Sequence, residues 1–223
     1  LNDIIKKMWG NYGKILAEYA FIPSFRKRKL ENFIKIEGLE NLEKLKKTRK
    51  PVVFISGHFN NFELMAMIIE REGIDLCAIY RPLNNKFLNI VMEYLRKKYI
   101  CKYQIKKGLN GMKRALANYK RGKSLAIMID QRVTEGVDVK LFGKKAYTTT
   151  VPAQFVRKFG SCIQPVYIER VDNYYFKISF DEQLNFTEKH SSEAITEKLN
   201  KWLEDKIIKN PDQWIWTHNR WKH

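Results

Sequence analysis

The chain has 223 residues, 44% of them hydrophobic and 30% charged. That balance excludes a disordered or collagen-like polymer and allows one substantial core. Its net charge of +18 calls for an anionic partner: nucleic acid, an anionic membrane surface or a phosphorylated substrate. No zinc-finger spacing and no aromatic RNP-like strand accompanies the charge, which argues against nucleic acid.

The first expected element is an amphipathic helix from Ile4 to Ala20 carrying Trp9, Tyr12, Leu16 and Tyr19, suited to covering a sheet or lying on a membrane. The pattern is already helical just after Leu1, with no initiating methionine, which suggests that a segment precedes this one and leaves room there for a membrane anchor. No apolar run within the chain approaches the ~18–20 residues of a bilayer-spanning helix. A strand near Asn32–Glu37 and a charged helix over Leu39–Lys47 follow. The β-branched run Val52-Val53-Phe54-Ile55 behind Pro51 reads as a buried strand. Asn60 and Asn61 are expected to cap a helix over Leu64–Ile69.

Next come a strand at Asp75–Tyr80, a helix at Lys86–Lys98, a strand at Ile100–Ile105 and a helix from Gly108 to Tyr119. Ser124–Ile129 is a second clear buried strand, and Gly136–Lys145 a hairpin-like excursion with apolar and basic faces. Thr148–Phe159 reads as a helix with Pro152 in its first turn. Strands at Ile163–Glu169 and Tyr174–Phe180 and a helix at Glu193–Ile208 complete the chain. Strand–helix alternation without repeats or linkers predicts a single α/β domain over residues 1–223, a sandwich with a mainly parallel mixed sheet flanked by helices.

Chemistry concentrates at Ser56-Gly57-His58-Phe59-Asn60-Asn61-Phe62-Glu63. Within one helix, positions five apart point about 140° from each other, so His58 and Glu63 meet only if His58 lies in the turn before the helix. There the carboxylate can swing back and accept the imidazole N–H, giving a base with its orienting acid. The alternative is a packed histidine beside a first-turn glutamate that favours the helix dipole.

Ligands in such sheets gather at the carboxyl ends of strands. Two further strand ends carry polar groups, Tyr80-Arg81-Pro82 and Asp130-Gln131-Arg132. Arg81 is suited to a phosphate or an oxyanion, and equally to a surface turn. Asp130 is suited to fixing Arg81 or another base, or to ending a strand; Gln131 is suited to a substrate carbonyl or a turn. Cys77, Cys101 and Cys162 are an odd number without metal spacing, which fits a reduced compartment and core packing. His190, His218 and His223 fit no metal-ligand pattern.

These residues, taken in order, resemble the late acyltransferases of lipid A biosynthesis, the lauroyl/myristoyl group of the glycerolipid-acyltransferase-like superfamily. The resemblance rests on Gly57-His58 with Asn61 and Glu63 (the His-x4-Asp/Glu signature), Tyr80 to Asn85, Met128 to Gln131, and Phe142-Gly143 with Ala146 and Thr148-Thr149-Thr150. It continues through Gln164-Pro165-Val166 to Arg170 and ends in the Trp-rich tail Pro211 to Lys222. Asn60 stands where glycine is usual, Phe62 where tryptophan is usual and Asn219 where a basic residue is more frequent; none of the three is expected to touch the base.

The resemblance implies a glycerol-3-phosphate acyltransferase-like fold and transfer of a fatty acyl chain from acyl carrier protein to a hydroxyl of a phosphorylated lipid A precursor. His58 and Glu63 would be catalytic, and Arg81, Asn85, Asp130 and Gln131 would bind substrate. It also implies no cofactor beyond the thioester, an anionic membrane surface as partner, and the cytoplasmic face of the bacterial inner membrane as location. Two other readings stay open: an acyltransferase using acyl-CoA and another glycolipid or lysophospholipid, and a non-catalytic basic protein that binds membranes or nucleic acid.

Overall fold

The computed structural model describes residues 1–222. Its centre is β2 (Val53–Ser56), buried at every position. A strand that is apolar on both faces must be covered on both, which puts it inside a parallel sheet between helical layers. β2 lies between β5 (Ser124–Met128) and β8 (Ile163–Val171), parallel to both. β5 continues to β3 (Leu76–Tyr80) and β4 (Tyr103–Lys106), again parallel. On the other side β8 pairs antiparallel with β9 (Tyr175–Phe180), and β9 pairs parallel with β1 (Ile34–Glu37). The sheet order is β1-β9-β8-β2-β5-β3-β4, the mainly parallel mixed sheet expected from the alternation.

Helices α4 (Glu63–Arg71), α6 (Leu109–Lys120) and α7 (Val151–Phe159) pack on the sheet, and α3 (Leu39–Thr48) packs on β9. Their apolar faces meet the strands in one core running from Ile22 to Trp214. Cys77 and Cys101 are part of it, as expected, and burial pushes the Cys77 thiol up to about 11. α1 (Asn2–Glu18) contacts the segment Pro211–Gln213 that follows α8 (Ser192–Lys209), which brings both ends of the chain together.

The excursion at 136–145 is a hairpin, β6 (Val137–Leu141) and β7 (Lys144–Thr148), outside the main sheet. Phe142 and Gly143 turn it with φ of 53° and 72°, the geometry that matches strand twist in a two-residue loop. A bulky residue rarely adopts positive φ. Here the Phe142 amide donates to the Glu204 carboxylate of α8, which anchors the turn.

Three local expectations change. A short helix, α2 (Ile22–Arg26), follows α1 where no helix was expected. The helix expected over Lys86–Lys98 is α5 (Lys86–Leu95) followed by a π turn, Arg96–Ile100. Neither Asn60 nor Asn61 caps α4 with its side chain. Asn60 takes φ of 39° and accepts the Asn61 amide, while Asn61 donates to Glu18 of α1 at 2.8 Å. Among the described residues no helix is long and apolar enough to cross a membrane.

Candidate active site

β2 ends at Ser56, and the chain turns through Gly57 and His58 before α4 begins at Glu63. Gly57 is required by close approach: a Cβ there would lie 2.8 Å from the Phe59 ring, 2.9 Å from Leu203 and 3.3 Å from Asp130 Oδ2. The same turn is held from the tail. Asn60 N–H donates to Gln213 O at 2.8 Å, Ile215 N–H donates to His58 O at 3.1 Å, and Phe59 bridges to Trp214.

His58 is oriented by Asp130, which lies just beyond the carboxyl end of β5. His58 Nδ1–H donates to Asp130 Oδ1 at 2.7 Å, while Oδ2 accepts the His58 backbone N–H at 2.6 Å and Trp214 Nε1–H at 2.8 Å. That bonding sets the tautomer with the proton on Nδ1 and leaves the Nε2 lone pair available as a base. The His58 side chain keeps 20% exposure and Asp130 only 3%. Burial disfavours the imidazolium, but the attraction and hydrogen bond of Asp130 outweigh it and raise the His58 pKa above the ordinary value. Burial likewise disfavours the carboxylate of Asp130, and His58 outweighs it, holding Asp130 below the usual carboxylate range.

The expected His58–Glu63 hydrogen bond is replaced by this one. Glu63 is buried at the start of α4, where Arg96 donates to its Oε1 from Nε at 2.8 Å and Nη2 at 2.5 Å, and the Tyr19 hydroxyl donates to the same oxygen. Its charge still adds to the raised His58 pKa. Asp130 bonds to His58 and Trp214 and makes no ion pair with Arg81. Arg81 stands exposed after β3, near enough for its charge to lower the pKa of His218. Asn85 caps α5, accepting the Leu88 N–H at 3.1 Å. Phe62, expected to stand clear of the base, meets the His58 ring edge-on with centroids 4.9 Å apart.

The turn after β5 also carries Gln131. Its Nε2 lies 3.1 Å from His218 Nε2 and 3.5 Å from His58 Nε2. Burial first, then the charges of His58 and Arg81, lower the His218 pKa. Arg220, fully buried, donates to Tyr147 O and Thr148 Oγ1 at 2.5 Å each and ties the tail to β7. Beside it Phe142, Lys144, Trp216 and Trp221 line an apolar surface groove of about 310 Å³. His190 lies away from this cluster, bonded locally to Thr187, and His223 lies outside the described residues. Spacing alone does not flag Trp214, Arg96 or His218. The tryptophan-rich tail is the one signal pointing to Trp214, and His218 stands two residues beyond Trp216 in the same segment.

The model of the family described as "Bacterial lipid A biosynthesis acyltransferase" matches residues 2–223. The chain belongs to this family. It is 24% identical to the lipid A biosynthesis lauroyltransferase of Escherichia coli K12, over 98% of this chain and 72% of that protein. It is 25% identical to the lipid A biosynthesis palmitoleoyltransferase of the same organism, over 98% and 71%. Among solved structures it is similar to the 1-acyl-sn-glycerophosphate acyltransferase PlsC of Thermotoga maritima. That match has a TM-score of 0.52 and 13% identity, covering 96% of this chain and 89% of that one; it supports the fold expected for the glycerolipid-acyltransferase group. As a member of this family the chain is an acyltransferase.

Two outcomes follow from the paired carboxylates. In an NMR titration the His58 ring titrates above the ordinary histidine value of about 6.5. Asp130→Asn removes the nearest opposing charge and its hydrogen bond while burial still acts, so the titration moves down from the wild-type position; no movement would remove Asp130 as the main source. Arg96→Met leaves the Glu63 charge buried without its cation and lowers stability to urea by about 3–5 kcal/mol. The double variant Glu63→Met/Arg96→Met recovers most of that loss.

Proposed function

We propose that this chain transfers a fatty acyl group from an acyl thioester, carried on acyl carrier protein, to a hydroxyl of a phosphorylated lipid A precursor at the cytoplasmic face of the inner membrane. The observation that carries the reading is the His58–Asp130 pair, with the His58 side chain 20% exposed beyond the carboxyl end of β2. The family match adds the reaction class, and the names of the relatives supply the acceptor.

His58 Nε2 takes the proton of the acceptor hydroxyl, which in this reading is the 3-hydroxyl of an acyl chain already on the disaccharide. The alkoxide oxygen bonds to the thioester carbon, the C–S bond breaks, and the thiolate leaves with the proton returned by the imidazolium. Asp130 keeps the ring in the reactive tautomer and stabilises the imidazolium. Glu63 adds longer-range negative charge while it anchors the helix behind the turn. General-base help contributes about 10²–10⁴-fold, so positioning and charge stabilisation supply the rest. Arg81 is the cation for the oxyanion or a substrate phosphate, and Gln131 is the amide that meets the substrate beside His58. The mechanism asks for no metal. The groove between Phe142, Trp216 and Trp221 offers apolar surface to a hydrocarbon chain.

The test is transfer of a labelled acyl group from acyl carrier protein to a tetraacylated, phosphorylated lipid A precursor in detergent. Wild type transfers, and His58→Ala loses at least about 10²-fold in rate. Undiminished transfer by His58→Ala overturns the mechanism. Transfer confined to a parallel arm with acyl-CoA and a lysophospholipid overturns the donor and acceptor assignments.

A further inference from the structure

α5 divides into two faces of different character. Its inner face is fully engaged: Met92 is buried, Asn89 accepts the Leu83 N–H, and Glu93 accepts from the Tyr80 hydroxyl and Asn89. Its outer face carries Phe87 (85% exposed), Leu88, Ile90 (68%), Val91 and Tyr94. Positions 87, 90, 91 and 94 recur at helical spacing and form one stripe opposite the core contacts. Large apolar side chains gathered in one exposed patch mark an interaction surface.

The charge around the stripe indicates what covers it. Residues 81–114 contain ten Lys or Arg and one acid, Glu93. That acid also pairs with Lys106 at 3.3 Å, and its hydrogen bonds hold its carboxyl down at about 2. The field around the stripe is therefore positive, with exposed Lys86, Lys97 and Lys98 beside it. An apolar helical face rimmed by lysines fits a surface that is hydrocarbon beneath and anionic above.

We propose that the outer face of α5 is the docking surface for an anionic lipid bilayer, and that it seats the carboxyl end of the sheet toward the lipid. α5 starts directly after the β3 end that carries Arg81, so Phe87 rises from that end. The adjacent strand β4, paired as Tyr80↔Lys106, delivers Lys107 and the exposed Leu109 to the same end. His58 follows β2 at this end, so docking through α5 presents the site to lipid-borne substrate. This last step rests on the proposed acyl transfer; the docking itself rests on the stripe and its charge.

The test is co-flotation of the full chain with vesicles of phosphatidylcholine, with or without phosphatidylglycerol. Wild type binds the anionic vesicles at least tenfold more tightly than the neutral ones, and added salt weakens it. Phe87→Ser/Ile90→Ser/Val91→Ser weakens binding to anionic vesicles at least tenfold, keeps the wild-type melting temperature and keeps transfer to detergent-dispersed acceptor. Ile208→Ser, at an exposed apolar position on α8, binds as wild type. No binding by wild type overturns the proposal, as does equal binding by the triple variant. So does light scattering that shows a dimer dissolved by the triple variant, since the stripe would then face a second copy. Loss of docking in the triple variant, with no acyl transfer by wild type, keeps the docking surface and removes the proposed reaction.

Discussion

Asp130 is an ionised carboxylate with 3% of its side chain exposed, and a charge so placed is tolerated only if donors surround it. They come from two distant segments of the chain. The turn after β2 gives an amide N–H and an imidazole N–H, and the tail gives the Trp214 indole N–H. Meeting that one carboxylate forces residues 58, 130 and 214 together, and the rest of the site follows. Trp214 can reach Asp130 because the tail runs along the turn, with Phe59 bridged to Trp214 and Ile215 bonded to His58 O. Gly57 is small because Phe59, Leu203 and Asp130 crowd the same point. The orientation of the base is thus a product of tertiary assembly more than of its own turn.

Two carboxylates influence His58, and the structure gives them different work. Asp130 touches the ring and sets its tautomer. Glu63 is claimed by Arg96 and Tyr19, so it joins the start of α4 to the turn just after α1 and to the π turn after α5. A π turn inserts an extra residue into the helical register, and here it begins at the arginine that reaches Glu63. Glu63 cannot leave that site for the imidazole without stranding a guanidinium that is itself largely buried. Its effect on His58 is therefore electrostatic and at a distance, while contact chemistry falls to Asp130. Both negative charges favour the protonated form of the His58 ring.

The mainly parallel sheet and its most buried strands were legible in local pattern. Val52–Ile55 and Ser124–Ile129 are continuous apolar runs, and such runs are buried on both faces, so the polar residues that follow them had to collect at one sheet end. The partners within that end were not legible. Glu63 lies five residues from His58 and Asp130 lies 72 away, and sequence spacing favours the near carboxylate. Only packing reveals that Arg96 already occupies it. Asn60 and Asn61 carried the chemistry of helix caps, yet their side chains serve Asn61 N–H and Glu18 because the turn bends through positive φ at Asn60. The Trp-rich tail was visible as a family-like feature, but the indole that bonds to the Asp130 carboxylate could not be told from those that fill the core.

Gln131 shows how the base is kept satisfied without being closed off. Its amide nitrogen lies 3.1 Å from the His218 ring and 3.5 Å from His58 Nε2. A contact at 3.5 Å is at the limit of a hydrogen bond, and its strength is correspondingly small. Gln131 is thus held chiefly by His218, whose pKa is lowered first by burial. In the proposed reaction, an incoming hydroxyl that donates to His58 Nε2 would displace only the weaker of the two contacts and leave the amide in place beside it. The stronger bonds of the site, those to Asp130, are left unchanged by substrate entry. In the proposed reaction His58 would meet its substrate with its ring already fixed, and little of the binding energy would be consumed in reorganising the protein.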